Sequence, residues 1–345
     1  QYFVGPPPPP PPPPPRTPPP PPPPPPLAET VPDGSITTNK IADGSITIDK
    51  LSVELRNEKK SSTGLANSAT GPFAFIGGGD NNVASGSYSS VVGGFTNKAQ
   101  ANYAIAAGGF TNIASAINAT VSGGSTNTAN ASYAVVGGGL QNLSSGTYSS
   151  NLGGNANTAF GNYSSVTGGQ ANSVSASHGV VSGGQGNSVA SQFGVVGGGY
   201  SNAVSATSNS ATISGGYDNM VSTSSPYATI GGGFSNNAAG GSSVIGGGYS
   251  NVANGLYSSL LGGKDNTSSG TYASIGGGLG NNASGNYSSV SGGNGNTASG
   301  HNSSVNGGSG NLVSGENAAI IGGTNNSISA PGAFAMGSNI SISSP

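Results

Sequence analysis

The chain of 345 residues has no cysteine, no tryptophan, only two histidines, and charge on just 5% of its positions. Each shortage removes a class of function. Without cysteine there is no disulfide framework, zinc–thiolate centre or thiol nucleophile. With two histidines, the general acid–base chemistry that this side chain most often carries is nearly excluded on inventory. Eight basic residues against ten acidic ones leave a formal net charge of −2. That is no electrostatic footprint for nucleic acid, and no nucleic-acid partner is expected. No apolar run approaches the ~18 residues that a membrane span requires, so membrane insertion by this chain is not expected. Low charge with abundant Gly, Ser and Asn would suit a low-complexity tract, but the regularity described below points to a folded array. The first residue is Gln1 rather than Met and no secretory signal is visible, so a mature, processed product is expected.

What is present falls into three regions. Residues 1–26 are a short apolar head followed by two proline runs, Pro6–Pro15 and Pro18–Pro26. Proline fixes φ and lacks an N–H, so this stretch is expected to form a polyproline II stalk of roughly 65 Å at ~3.1 Å per residue. Residues 27–60 hold 11 of the 18 charges and a ten-residue echo, Asp33-Gly34-Ser35-Ile36-Thr37 and Asp43-Gly44-Ser45-Ile46-Thr47. Asp-Gly marks a turn and Ser-Ile-Thr a short strand, so this region reads as a neck. Residues 61–345 are one long repeat.

In that repeat, Gly-Gly pairs begin at 78, 93, 108, 123, 138, 153, 168, 183 and 198, then at 215, 232, 247, 262, 277, 292, 307 and 322. The spacing is 15, with two steps of 17 at 198–215 and 215–232. Counting from the first glycine of each pair, position +4 is always asparagine: Asn82, Asn97, Asn112, Asn127, Asn142, Asn157, Asn172, Asn187, Asn202, Asn219, Asn236, Asn251, Asn266, Asn281, Asn296, Asn311 and Asn326. Position −2 is apolar, as in Ile76, Val91 and Ile213, with Asn151 as an exception. Position −4 is only Gly, Ala or Ser, and +6 is small and mostly apolar. At −5 tyrosine dominates: Tyr88, Tyr103, Tyr133, Tyr148, Tyr163, Tyr227, Tyr257, Tyr272 and Tyr287.

A period of two between −2 and −4 is that of a strand, with −3 and −5 on its other face. Gly-Gly supplies backbone conformations closed to other residues, and Asn tolerates left-handed ones. Each repeat therefore reads as strand, tight turn, strand, turn. The fold class is all-β, a β-solenoid or parallel β-roll of about 18 coils with 15 residues each. Stacked in register, the coils place each +4 Asn over the next and predict a ladder of side-chain amide bonds. At ~4.8 Å per coil the rod would reach roughly 86 Å. The −5 and −3 columns also carry apolar residues. A thin roll with two partly apolar faces is expected to pack one of them, the tyrosine column or the −3 column beside it, against other chains. A homotrimer would satisfy this.

The run Asn-x-Ala-Ser-Gly-x-Tyr-Ser-Ser-Val-x-Gly-Gly, as in Asn82–Gly94 and Asn157–Gly169, resembles the head repeats of trimeric autotransporter adhesins of the YadA type. The neck echo resembles segments of trimeric phage tail fibres. The first resemblance spans about 270 residues and implies three left-handed parallel β-rolls side by side, binding host matrix or other cells. This repeat is 15 residues where that family usually has 14, and the family's coiled-coil stalk and C-terminal barrel have no counterpart before Pro345. An N-terminal attachment or a removed anchor is expected on that ground.

Candidate chemistry is sparse. His178 takes the place of tyrosine in the −5 column, and His301 and Glu316 fall at −6 in adjacent coils, where a weak surface ion pair is expected. No Gly-rich loop leads into a helix with Lys, so a phosphate loop is excluded. Calcium-binding solenoids need Asp in every turn, whereas Asp80, Asp218 and Asp265 are scattered. No catalytic residue, cofactor or metal is expected. The two longer coils add residues near Ser208, Asn209, Ser224 and Ser225, candidates for binding loops on a rigid scaffold. Aromatic residues at +2 (Phe95, Phe110, Tyr200, Tyr217, Phe234 and Tyr249) are candidates for contact with surface glycans, matrix or neighbouring fibres. Sequons occur at Asn118, Asn130, Asn142 and Asn286. Tyr2, Phe3 and Val4 form an apolar plug on the proline arm, a candidate connector that enters the end of a neighbouring subunit.

These readings converge on a non-enzymatic extracellular or cell-surface fibre subunit, homotrimeric and polymerising end to end, with adhesive capacity. A phage or tailocin receptor-binding tail fibre is the alternative. A polysaccharide-degrading β-solenoid enzyme is a more remote one, since no cluster of carboxylates and bases recurs in neighbouring coils.

Overall fold

The computed structural model describes residues 64–343. The stalk (1–26), the neck (27–60) and the connector Tyr2, Phe3 and Val4 lie outside them. The described chain is a parallel β-solenoid of about 18 turns with no helix. Each coil contributes two strands, nearly all of only two residues. One comes from positions −3 and −2, as in Phe75–Ile76 and Ser90–Val91, and builds sheet A of 18 strands. The other comes from +5 and +6, as in Val83–Ala84 and Lys98–Ala99, and builds sheet B of 19 strands. Each strand pairs in parallel with the same strand of the next coil: Ser90 opposes Ile105 and Val83 opposes Lys98. A further rank of single bridges joins the +2 residues, from Leu65–Asp80 to Ser309–Thr324.

The interior follows from the columns. The −2, −4 and +6 side chains are buried, and the core consists of Ala, Val and Ile with one Leu. A strand of two residues cannot form alone; these exist because the coils above and below satisfy their amides. Strand N–H groups donate to the following coil, as Ser90 N–H does to Ala104 O at 2.9 Å. The −5 residue breaks this rule. It lies outside the strand in the left-handed region, with φ of 56° at Tyr88 and 60° at Tyr103, and its amide donates backward, Tyr103 N–H to Ser87 O. So −3 and −5 do not share one pleated face. The tyrosine column stands on a turn that leads into sheet A.

The second glycine of each pair has a physical reason. Gly169 has φ +88°, and a Cβ there would lie 2.0 Å from Gly184 O. The first glycine, Gly168, would meet nothing within 4 Å. The ladder asparagine is not itself left-handed. The residue before it is, as at Thr96 (φ 59°), Thr111 (φ 56°) and Gln141 (φ 57°).

Both ends deviate. Asn67 begins the asparagine ladder, although its coil carries Thr63-Gly64 in place of Gly-Gly. At the other end Gly323 pairs with Gly337, one residue closer than elsewhere, with an irregularity between Ile320 and Gly322. Ile340 then stands where asparagine would, and its N–H closes on Asn326 Oδ1 at 3.0 Å.

Candidate functional site

The asparagine column is buried from Asn82 to Asn326. Asn172 is representative. Its N–H donates to Asn157 Oδ1 at 2.9 Å, and its Nδ2 donates both to Gly168 O in its own coil and to Gly184 O in the next, each at 2.9 Å. Its Oδ1 accepts from Asn187 N–H at 2.9 Å and Asn187 Nδ2 at 3.1 Å. The ladder is thus mainly side chain to backbone. Direct amide–amide contact supplements it at some rungs and is absent at others, such as Asn112 and Asn127. This explains why asparagine recurs without substitution: two donors and an acceptor must reach three backbone groups from one short side chain.

The tyrosines of the −5 column stack ring on ring. Tyr133, Tyr148, Tyr163, His178 and Phe193 form one run with centroids 4.6–5.1 Å apart, and Tyr257, Tyr272 and Tyr287 another at 4.9 and 5.1 Å. Phe73, Tyr88 and Tyr103 make a third. His178 is a rung of this stack. Tyr227 stands between Ser210 and Ser242, without a stacked ring beside it, and is 65% exposed. At +2, Tyr200, Tyr217, Phe234 and Tyr249 form a four-ring stack, and Lys264 Nζ sits 5.1 Å from the Tyr249 centroid. Ring faces inside a stack are covered by neighbouring rings. What solvent meets is a row of edges and phenol oxygens, which weakens the case for these aromatics as stacking platforms for sugar rings.

The two longer coils do not present all four expected loop residues to solvent. By register, the added residues are Ala206-Thr207 and Thr223-Ser224, all exposed. Ser208 and Ser225 occupy the −7 place and point inward, fully buried. Ser208 Oγ donates to Ser222 O and accepts from Ser225 N–H at 3.2 Å. Neither can meet a partner. Asn209 and Ser224 remain exposed, and Ser224 N–H donates to Thr207 Oγ1 at 3.0 Å, which stacks the two added corners on each other.

The remaining candidates are separated. Glu316 contacts Asn317 Nδ2 at 3.5 Å, and His301 meets Tyr287 edge-on at 5.5 Å; the expected ion pair between them does not form. Asn142 belongs to the buried ladder, so its sequon is closed to modification. Among the described residues no group of three His, Cys, Asp or Glu gathers. Also among them, no helix is long and apolar enough to cross a membrane.

Unstacked apolar surface lies on the outer face of sheet A. Position −3 carries half-exposed Phe75, Ile105 and Val244, and −1 carries exposed Val92, Leu152 and Leu261. A shallow groove lined by Ser259, Leu261, Ser274, Gly276, Ser289 and Ser291 runs over this face.

Fold and columns together define a parallel β-solenoid repeat protein. No protein-family model matches the chain, and no curated protein matches it.

Proposed function

We propose that this chain is a structural subunit of an extracellular or cell-surface fibre, non-enzymatic and homotrimeric, with adhesive capacity and with the Tyr2–Val4 arm as the end-to-end connector. The likeness to YadA-type heads and to phage-fibre necks enters this reading through the repeat and the Asp-Gly-Ser-Ile-Thr echo. The observation that carries it is the continuous asparagine ladder from Asn67 to Asn326, which ties each coil to the next along the described residues. Such a rod resists extension because every coil is held by the next.

For the lateral contact, the tyrosine column is the weaker candidate, because its rings already cover one another. The outer face of sheet A offers apolar side chains with no covering, in the −3 column that adjoins it. Three copies meeting through this face would bury Phe75, Ile105, Val244 and Leu261. Surface glycans or matrix would then be met by the Ser/Thr/Asn-rich remainder.

Sedimentation of the full-length chain tests the assembly, with electron microscopy of the same sample. Three-chain particles that grow into filaments are expected. A monomer at all accessible concentrations would sink the trimer, and Leu261→Asp with Val244→Asp should release monomers if sheet A is the contact. Release of reducing sugars from surface glycans would reverse the non-enzymatic part.

A further inference from the structure

We propose that the stacked tyrosines are sites of oxidative cross-linking, in which neighbouring rungs join as dityrosine and staple one coil covalently to the next. The inference stands on ring geometry within one chain and not on the trimer.

Tyr88 and Tyr103 have ring centroids 5.3 Å apart with planes 4° from parallel. For Tyr133–Tyr148 the values are 4.6 Å and 8°, for Tyr148–Tyr163 5.1 Å and 7°, and for Tyr200–Tyr217 4.8 Å and 11°. Tyr257–Tyr272 and Tyr272–Tyr287 lie at 4.9 and 5.1 Å. These rings are roughly half exposed, so an oxidant can reach the phenols. In near-parallel rungs with centroids 4.6–5.3 Å apart, each phenol ring is held against the phenol ring of the next coil. Holding two reactants together in this way turns a bimolecular coupling into an intramolecular one.

The chemistry needs a one-electron oxidant, of the kind a haem peroxidase makes from hydrogen peroxide. Each of two phenols loses one electron and its O–H proton, giving two phenoxyl radicals. A carbon–carbon bond forms between their ortho carbons. The ring hydrogens at those carbons move to the phenol oxygens and restore both aromatic rings. One peroxide takes up the two electrons and two protons and leaves as two waters. The product has lost two hydrogen atoms. It spans 15 positions of sequence, or 17 for Tyr200–Tyr217, and bridges a single rung.

The fold supplies its own comparison residues. Tyr227 is the most exposed tyrosine of its column but has serine on either side, and Tyr249 stacks on Phe234 and under Lys264. Neither has a tyrosine neighbour. Exposure alone would favour coupling at Tyr227, whereas ladder geometry forbids it there.

The test is to treat the full-length chain with a haem peroxidase and hydrogen peroxide, proteolyse it, and map linked peptides by mass spectrometry. The blue dityrosine fluorescence is followed in parallel. Links within single chains between the named pairs are expected, exceeding those at Tyr227 by about tenfold or more. Tyr148→Phe keeps the ring stack but should abolish the 133–148 and 148–163 links while leaving 88–103 and 257–272 unchanged. Links at Tyr227 as frequent as in the stacks, links chiefly between chains, or the absence of dityrosine would each overturn the proposal.

Discussion

At the scale of the residue, the repeat is governed by two positions whose demands are steric and polar. Asn172→Leu would strip Gly168 O and the buried Asn187 N–H of their partner, while Gly184 O would lose one of two bonds and keep Gln170 N–H at 2.9 Å. Each buried group left unpaired costs about 1–3 kcal/mol. The variant should therefore lose several kcal/mol in denaturant unfolding, while Asn130→Leu, on the surface, should change little. An unaltered melting curve for Asn172→Leu would show that the column does not carry load. The glycines give a sharper contrast. Gly169→Ala meets both a positive φ and a carbonyl and should destabilise strongly, whereas Gly168→Ala enters open space. Equal thermal shifts for the two would contradict this turn geometry.

At the scale of the element, strands of two residues are joined by turns that carry residues of unusual conformation. A left-handed conformation costs a non-glycine residue roughly 1–2 kcal/mol. Parallel stacking of aromatic rings returns about 0.5–1.5 kcal/mol per pair, which is enough to offset most of it at the tyrosine turns. That balance is a reason for tyrosine, rather than glycine, to dominate −5. One coil departs from the pattern inside the core. Ser144, Ser149 and Asn151 are buried together, and the hydrophobic core separates there into two clusters, one ending at Val136 and the other beginning at Ala159. Asn151 Nδ2 donates to Asn157 O at 2.7 Å, but its Oδ1 has no partner. Asn157 O keeps a second bond from Leu143 N–H at 2.9 Å. Asn151→Val would match Val136 and Val166 on either side and should stabilise the protein by about 1–2 kcal/mol. A lowered melting temperature would mean that the polar coil is needed.

At the scale of the whole molecule, stability is a sum of coils and of contacts between neighbouring coils. Deleting residues 158–172 removes one complete period and rejoins position +4 to +5. The shortened chain should fold and keep a cooperative thermal transition. Deleting residues 158–165 alone leaves one coil eight residues short, so the coils after it cannot continue in register on those before it and the ladder should break at that junction. Circular dichroism of the two deletions separates these outcomes. A fold equally lost in both would speak against independent coils. The shortage of charge also acts at this scale. In 61–345 only six side chains are charged, and among the described residues the ion pair is Lys264–Asp265 at 3.8 Å. Such an exposed pair contributes little, so screening by salt should barely move the melting temperature.

The spacing of Gly-Gly, Asn and the small columns was enough to read the parallel coils, the shared face of −2 and −4 and the asparagine ladder, because one pattern repeated seventeen times leaves little freedom in how the chain stacks. The sequence also named the two longer coils but could not orient them. Ser208 and Ser225 turn inward because the added residues are accommodated one step earlier, and a linear spacing does not say which residue of an insertion bulges. Asn67 carries no such signal, because its coil lacks the glycine pair that marks the others. Only the tertiary structure decided that the tyrosines stand on left-handed turns and cover one another's faces. Whether an apolar column is satisfied by its own neighbours or left bare depends on distances between coils, which no single repeat contains.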